Sequence, residues 1–294
     1  MNLSELDCVN GIPSFPQYVE YFSGVRWFIV LVPISISACI FWIYWNNLRN
    51  IIEIAPKSMK SNCIALISIY PIVSICSLTA ISLPRTYFFM DTIGHVSFMI
   101  ISYQLFRLCM IYVEGESNFI SIANKEESFT LKSPPLCCCC PFGRSHITKH
   151  KFNFLRFLVI QMPISHIVIF LTLNIIYIES IETFDKVILY FIPFIALTVL
   201  GGIWGFNLTV RMIAPHYAGL KLAQRYFAFQ LVLFFCKIQP IFLNIIMKQV
   251  ITTCDGPFTI IVKRRTIIQV LVQFEMLILS IWASALYKDP QPLK

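Results

Sequence analysis

Four adjacent cysteines, Cys137, Cys138, Cys139 and Cys140, form the densest group of reactive side chains in the sequence. Clustered thiols can bind zinc, form disulfides or accept fatty acids. Zinc sites use spaced pairs such as C-x2-C, because two sulfurs must converge on one ion, whereas consecutive side chains diverge. The choice between a disulfide and a thioester depends on the compartment that the run occupies. The rest of the chain must indicate that compartment.

Four ionisable side chains interrupt long apolar runs: His95, Arg107, Lys237 and Glu275. Charges inside a membrane span are costly and by default indicate a functional site. At 1.5 Å per residue, Lys237 would lie about 15 Å from the inner end of its helix and Glu275 about 17 Å from the inner end of its own. The two side chains would therefore lie at the same depth in the membrane. The sequence therefore predicts an ion pair between them if the two helices are neighbours. Such a pair could line a substrate path or only set the register of the helices.

Polar residues accompany these charges. Gln239 precedes Pro240, which is expected to kink its helix and to open backbone carbonyls to a substrate or to water. Asn244 follows Lys237 by seven residues and shares its helical face. In another run Arg107 could contact a lipid phosphate by snorkelling, or bind an anion. The candidate substrate path comprises Lys237, Gln239, Pro240, Asn244, Glu275, Gln104 and Arg107.

Motifs for catalysis are absent from the sequence, which contains no H-E-x-x-H, no G-x-S-x-G and no Walker loop. Convergent Ser, His and Asp residues or metal ligands cannot be assembled from its spacing. We therefore predict that the chain is not an enzyme, and we predict no metal site and no cofactor.

Composition indicates an all-α polytopic membrane protein. The chain has 294 residues, of which 57% are hydrophobic and 13% charged, and the charged share is roughly half that of a soluble domain. Seven apolar runs approach or exceed the ~20 residues that a membrane-spanning helix needs. They are Trp27–Trp45, Cys63–Leu83, Thr92–Val113, Phe154–Ile178, Val187–Leu208, Phe227–Met247 and Ile267–Leu286.

The distribution of basic residues predicts an external N-terminus and a cytoplasmic C-terminus. In this orientation the inner segments carry 13 Lys and Arg residues and the outer segments carry 7. Lys263, Arg264 and Arg265 disagree, since they precede the last span on the outer side. The predicted organisation is an external segment 1–26, a seven-helix domain 27–287 with a cytoplasmic loop 114–153, and a cytoplasmic tail 288–294. The net charge of +8 then reflects orientation and attraction to anionic lipid, and nucleic acid is not an expected partner.

This orientation places the cysteine run in the cytoplasm, where disulfides are disfavoured. Juxtamembrane cysteines near basic residues are typical acceptors of palmitate, so thioacylation is preferred over unmodified thiols, and metal binding comes last. Cys8 and Cys254 both fall on the outer side and could form one disulfide.

Several short motifs resemble the alpha subunit of the organic solute transporter. They are Pro84-Arg85 before the third span, Val113-Glu114-Gly115 after it, the cysteine run closed by Pro141, Phe229-Gln230 entering the sixth span, Gln239-Pro240 within it, and Glu275 in the last span. The combination is specific, and the resemblance runs from about the second span to the end of the chain. This cysteine run is short for the family, and a lysine at position 237 departs from its pattern.

The resemblance implies seven spans, an external N-terminus and gradient-driven transport of amphipathic organic anions, such as steroid conjugates and bile-acid-like solutes, across the plasma membrane. It also implies a single-span beta subunit as a partner and palmitoylated cysteines near the transport path. A homo- or hetero-oligomer within membrane lipid is expected. Two alternatives stay open: a seven-span chemoreceptor, although no D-R-Y or N-P-x-x-Y is present, and an accessory protein in membrane trafficking.

Overall fold

The computed structural model describes residues 28–125, 146–217, 221–253 and 259–288, together with Pro13, Pro16 and Tyr18. Within these residues the chain is helical and contains no strand. A 3₁₀ turn, Pro84–Thr86, precedes α3, and a π-helical turn, Phe234–Ile238, joins α7 to α8. The α-helices are α1 (Phe28–Ile54), α2 (Lys57–Ser82), α3 (Tyr87–Tyr112), α4 (Glu116–Lys125), α5 (Lys149–Glu179), α6 (Ile181–Ile213), α7 (Leu222–Leu233), α8 (Gln239–Val250) and α9 (Ile260–Tyr287).

Seven helical stretches of the described chain are long and apolar enough to cross a membrane. This confirms the predicted all-α fold with seven spans. The stretches are Phe28–Ile54, Lys57–Ser82, Pro84–Tyr112, Lys149–Glu179, Ile181–Ile213, Leu222–Val250 and Ile260–Tyr287. Each is longer than the predicted apolar run, because less apolar residues at the ends continue the helix. The orientation of the termini stays a prediction.

Two boundaries differ from the predicted ones. The third span begins with the 3₁₀ turn at Pro84 and continues in α3, so that Asp91 belongs to the helix and not to a connecting loop. Proline is favoured at a helix start, where its missing N–H costs no hydrogen bond. The predicted loop 114–153 contains α4, which is 10 residues long.

The chain divides into two compact units. The first comprises Met1–Arg49, Ile67–His95 and Ala228–Ala285, and the second comprises Asn50–Leu66, Val96–Phe227 and Leu286–Lys294. Each unit has its own buried polar contacts, which are described in turn.

In the first unit, Gln273 of α9 is fully buried and connects α1 to α2. Its Nε2 donates to Ser37 Oγ at 3.4 Å and to the Ser74 carbonyl at 3.1 Å. The two serine hydroxyls are 2.8 Å apart. Because hydrocarbon offers no water, such interhelical hydrogen bonds give the Gln273 Nε2 group its partners and hold neighbouring helices in register.

The N-terminal segment contributes Tyr18 to the first unit. Its hydroxyl donates to the Ile81 carbonyl at 2.5 Å, near the end of α2. Burial raises the pKa of Tyr18 far above that of a free tyrosine. The side chain is therefore a neutral donor at physiological pH, and this contact does not titrate there.

In the second unit, Arg225 of α7 is 3% exposed and joins the ends of α3 and α9. Its guanidinium donates to Tyr112 Oη at 2.7 Å and to the Leu286 carbonyl at 3.0 Å. The same group lies 4.7 Å from the ring centroid of Tyr287. A carbonyl, a phenol and an aromatic face thus share one buried positive charge.

Helices α5 and α6 pack closely in the second unit because glycines of α6 lack side chains at the contact. A Cβ at Gly205 would lie 3.2 Å from Leu158 Cβ and 3.4 Å from the Leu155 carbonyl oxygen. Gly201 lies one helical turn earlier on the same face, which gives the small-xxx-small spacing typical of close membrane-helix pairs. Gln161 Nε2 reinforces the pair by donating to the Thr198 carbonyl at 2.9 Å.

We expect Gly205→Leu to separate α5 from α6, because Leu158 and the backbone at Leu155 leave no room for a side chain. The cost should be about 1–3 kcal/mol, measured as a lower midpoint of thermal unfolding in detergent. Gly94→Ala is the matched control, since a Cβ there meets nothing within 4 Å. It should be neutral or stabilising by up to ~1 kcal/mol. Equal midpoints for the two variants would contradict the packing argument.

Candidate functional site

The sixth span is interrupted by a π-helical turn at the candidate site. Pro240 has no N–H, so the regular hydrogen-bond ladder cannot continue through it. Directly before it, Gln239 N–H bonds to the Phe234 carbonyl five residues back. A π turn widens the helix by one residue per turn and is common at functional sites. The disturbed backbone thus lies where the sequence predicted a proline kink.

Lys237, within the π turn, forms an ion pair with Asp91 of α3. Its Nζ lies 2.7 Å from each carboxylate oxygen. The two side chains remain 27% and 29% exposed. The charge of Lys237 in a membrane span is thus compensated, because its ammonium donates to both oxygens of Asp91, and the pair remains partly exposed.

The predicted pairing of Lys237 with Glu275 is therefore wrong, since Asp91 takes the place of Glu275. Asp91 was missed because it was assigned to the connecting segment 84–91. The sequence contains a usable signal: Pro84 marks a helix start about two turns before Thr92, which places Asp91 in the membrane-spanning part. His95, one turn further along α3, is buried in the same unit.

Glu275 instead accepts a hydrogen bond from Gln239, with Nε2 and Oε1 2.6 Å apart. Gln239 Oε1 and Glu275 Oε2 are buried and have no hydrogen-bond partner among the described residues. One hydrogen bond therefore joins two groups that each retain an open acceptor. Such buried acceptors without a donor carry a desolvation penalty.

The three basic residues at the start of α9 bind within the first unit. Lys263 Nζ donates to the Thr253 carbonyl at 2.8 Å, and Arg264 donates to the Ile251 carbonyl at 3.1 Å. The Arg265 guanidinium lies 4.5 Å from the ring centroid of Tyr87. These charges thus bind carbonyls that follow α8 and stack on α3, and the orientation of the chain stays a prediction.

An apolar cavity of about 660 Å³ lies in the first unit. Its walls come from α1, from the end of α8 with the segment after it, and from the first turns of α9. Lys263 and two threonine hydroxyls supply its polar edge. Its size is within the range of small-molecule sites. The lining residues are Phe28, Ile29, Pro33, Val250, Ile251, Thr253, Lys263, Thr266, Ile267 and Val270.

The structure does not bring all candidate path residues together. Lys237, Gln239, Pro240, Asn244 and Glu275 belong to the first unit, and Asn244 is half-buried. Gln104 and Arg107 belong to the second unit. Cys137–Cys140, Cys8 and Cys254 lie outside the described residues. Thioacylation and the Cys8–Cys254 disulfide stay predictions.

We expect Glu275→Gln to preserve stability, because the new amide keeps an acceptor for Gln239 Nε2 and adds a donor for its open Oε1. Glu275→Leu should destabilise by about 1–3 kcal/mol, since the buried Gln239 amide then loses its partner. Thermal unfolding in detergent compares the two variants. If both lowered the midpoint equally, the negative charge of Glu275 and not this hydrogen bond would be what the fold requires.

Named relatives are similar to this chain over most of its length. An organic solute transporter alpha-like protein from Drosophila melanogaster is 30% identical over 292 residues, which cover 96% of this chain and 87% of the relative. Organic solute transporter alpha-like protein 3 from Caenorhabditis elegans is 23% identical, with 96% and 82% covered. Organic solute transporter subunit alpha from Danio rerio is 22% identical, with 79% and 73% covered. No solved structure matches significantly.

A family model described as organic solute transporter Ostalpha matches residues 27–292. That range contains all seven spans and the Lys237–Asp91 and Gln239–Glu275 contacts. Its members are solute transporters of the membrane and not enzymes. The chain belongs to the organic solute transporter alpha family.

Proposed function

We propose that this chain carries amphipathic organic anions, such as steroid conjugates or bile-acid-like solutes, across the plasma membrane by facilitated transport. Membership of a membrane solute transporter family supports the general activity. The observation that carries the finer proposal is the Lys237–Asp91 ion pair, which lies in two membrane-spanning helices and remains partly exposed. A cation at such a position is suited to an anionic solute.

Anion exchange at Lys237 is the proposed binding step. In the structure Asp91 compensates the lysine with two short hydrogen bonds. A sulfate or carboxylate of the solute would replace Asp91 at Nζ and leave the lysine paired throughout. Because an uncompensated charge in the membrane is costly, replacing one anion by another lowers the barrier relative to exposing a lone cation.

The apolar cavity of about 660 Å³ supports an amphipathic solute rather than a small inorganic ion. Its wall residue Val270 and Glu275 lie on the same helix, five residues or about 7.5 Å apart along the axis. Both therefore belong to one unit and one helix. In this proposal the apolar body of the solute occupies the cavity and its acidic end binds Lys237.

The partner chain and the orientation in the membrane are further parts of the proposal. The Danio rerio relative is named as a subunit, which supports a partner chain, and we propose a single-span beta subunit in a hetero-oligomer. The external N-terminus and cytoplasmic C-terminus rest on the distribution of basic residues. Since the sequence contains no Walker loop, the driving force in this proposal is the gradient of the solute.

Flux of a labelled steroid sulfate tests the proposal in cells that express the chain with and without a beta subunit. We expect flux that reverses when the imposed gradient is reversed. Lys237→Ala should raise KM about tenfold or more, because a charge-assisted hydrogen bond is lost. Asp91→Asn should lower KM, since the competing anion is removed. The double variant Lys237→Ala/Asp91→Asn avoids leaving Asp91 unpaired and should transport as poorly as Lys237→Ala.

The matched control is the exposed ion pair between Lys186 and Glu182 on α6, whose side chains are 73% and 83% exposed. Lys186→Ala should leave KM unchanged. Absence of flux for a panel of organic anions, despite surface expression with a beta subunit, would overturn the proposed activity. A cellular signal without net flux would instead indicate a chemoreceptor, and altered surface levels of other proteins would indicate a trafficking role.

We expect thioester-linked palmitate on the cysteine run, since cytoplasmic cysteines between basic residues are typical acceptors. Replacing Cys137, Cys138, Cys139 and Cys140 by serine should abolish labelling in an acyl-exchange assay. Replacing Cys8 and Cys254 by serine is the matched control and should leave labelling intact. Equal labelling of both variants would contradict acylation of the cysteine run.

A further inference from the structure

A second cavity, of about 500 Å³, lies within the second unit where α3 ends and α5 begins. Two arginines line it, Arg107 of α3 and Arg156 of α5. Two glutamates line it as well, Glu114 in the turn before α4 and Glu116 at the first residue of α4. Aromatic and aliphatic side chains form the rest of the wall, among them Phe106, Met110 and Phe152.

These four charges do not pair with one another. The ion pairs among the described residues are Lys186–Glu182 and Lys237–Asp91, and neither involves the cavity. Both arginines are exposed. Glu116 Oε1 is buried and has no hydrogen-bond partner among the described residues. Opposite charges that share one cavity without neutralising each other leave both signs available to a ligand.

The cavity lies near the membrane surface. Arg107 is five residues, or about 7.5 Å, from the end of α3, and Arg156 is seven residues, or about 10 Å, from the start of α5. These two ends are expected on the same side of the membrane, because the sequence between them contains no apolar run of the ~20 residues that a span needs. Helices of 26 and 31 residues are about 39 and 46 Å long, enough to reach the headgroup layer on both sides.

The turn between α3 and α4 holds the two carboxylates at the cavity. Glu114 and Gly115 have positive φ angles of 57° and 110°. The turn is closed by hydrogen bonds from Glu114 N to the Ile111 carbonyl and from Gly115 N to the Met110 carbonyl, both at 3.1 Å. A glutamate rarely adopts this backbone conformation, and such residues concentrate at functional sites.

We propose that this cavity binds the headgroup of a phospholipid that carries a phosphate and a primary ammonium, the phosphatidylethanolamine class. The guanidinium groups of Arg107 and Arg156 match the phosphate oxygens, which they can contact through paired N–H groups. The three N–H groups of the ammonium match the carboxylates of Glu114 and Glu116. The acyl chain lies along Phe106 and its apolar neighbours.

Charge complementarity distinguishes this lipid from others. An anionic headgroup without an amine would satisfy the arginines but leave two carboxylates opposite a further negative charge. A choline headgroup has the right charges, yet its quaternary nitrogen donates no hydrogen bond to a glutamate. The site lies in the second unit, and its occupation is separate from the transport step proposed at Lys237.

The test measures thermal unfolding of the purified full chain in detergent micelles with added phosphatidylethanolamine, phosphatidylcholine or phosphatidylglycerol. A ligand that binds the folded state raises the unfolding midpoint. We expect phosphatidylethanolamine to raise the unfolding midpoint most. The double variant Arg107→Gln/Arg156→Gln should lose this rise. Mass spectrometry of the lipid extract should find at least tenfold less phosphatidylethanolamine bound to that variant. Glu114→Gln/Glu116→Gln should abolish the preference for ethanolamine over glycerol.

Arg49→Gln is the matched control, because Arg49 is an exposed arginine near a helix end that stacks on Trp45 and lines neither cavity. It should keep the full response to lipid. An unchanged response in the double arginine variant would overturn the proposal, as would equal responses to the three lipids. Soluble glycerophosphoethanolamine should compete poorly for lack of acyl chains, and competition as strong as that of the lipid would refute a membrane source for the ligand.

Discussion

Compensation of polar groups inside apolar helices is the constraint on which the rest of this structure depends. Hydrocarbon supplies no water, so each such group must find its partner within the protein. Lys237 finds a carboxylate, Gln273 finds two serines, and Arg225 finds a phenol, a carbonyl and an aromatic ring. Compensation is incomplete at several of these side chains, since one atom of each is buried without a hydrogen-bond partner among the described residues: Gln239 Oε1, Glu275 Oε2, Gln273 Oε1 and Arg225 Nε.

The break in the sixth span connects this constraint to the proposed solute site. Pro240 prevents a continuous hydrogen-bond ladder, and the π turn before it accommodates the change of register. Lys237 sits within that turn, and Gln239 directly follows it. One irregular segment thus presents both a cation and an amide to polar residues of α3 and α9 in the same unit. A regular helix would present side chains with the ordinary spacing of 3.6 residues per turn.

The two units use charge differently. In the first, Lys237 and the basic residues of α9 are bound to a carboxylate, to carbonyls or to an aromatic ring. In the second, Arg225 is similarly enclosed, whereas the charges around the end of α3 face a cavity and have no ion-pair partners among the described residues. The ion pair of Lys237 is suited to the proposed exchange of one anion for another. The charges without an ion pair near the end of α3 are suited to the proposed binding of a lipid headgroup.

Some of these features follow from the sequence by itself. The seven spans could be located because the length and hydropathy of a run are properties of the chain in one dimension, and the motifs around Gln239, Pro240 and Glu275 indicated the family. The partner of Lys237 could not be chosen that way. Glu275 had the right depth, but depth says nothing of which way a helix face points or which helix is adjacent. The packing of α3 against the sixth span makes Asp91 the partner of Lys237. The tertiary structure alone also brings Arg107, Arg156 and two glutamates around one cavity. Arg156 is far from the other three in the sequence and meets them only when the chain is folded.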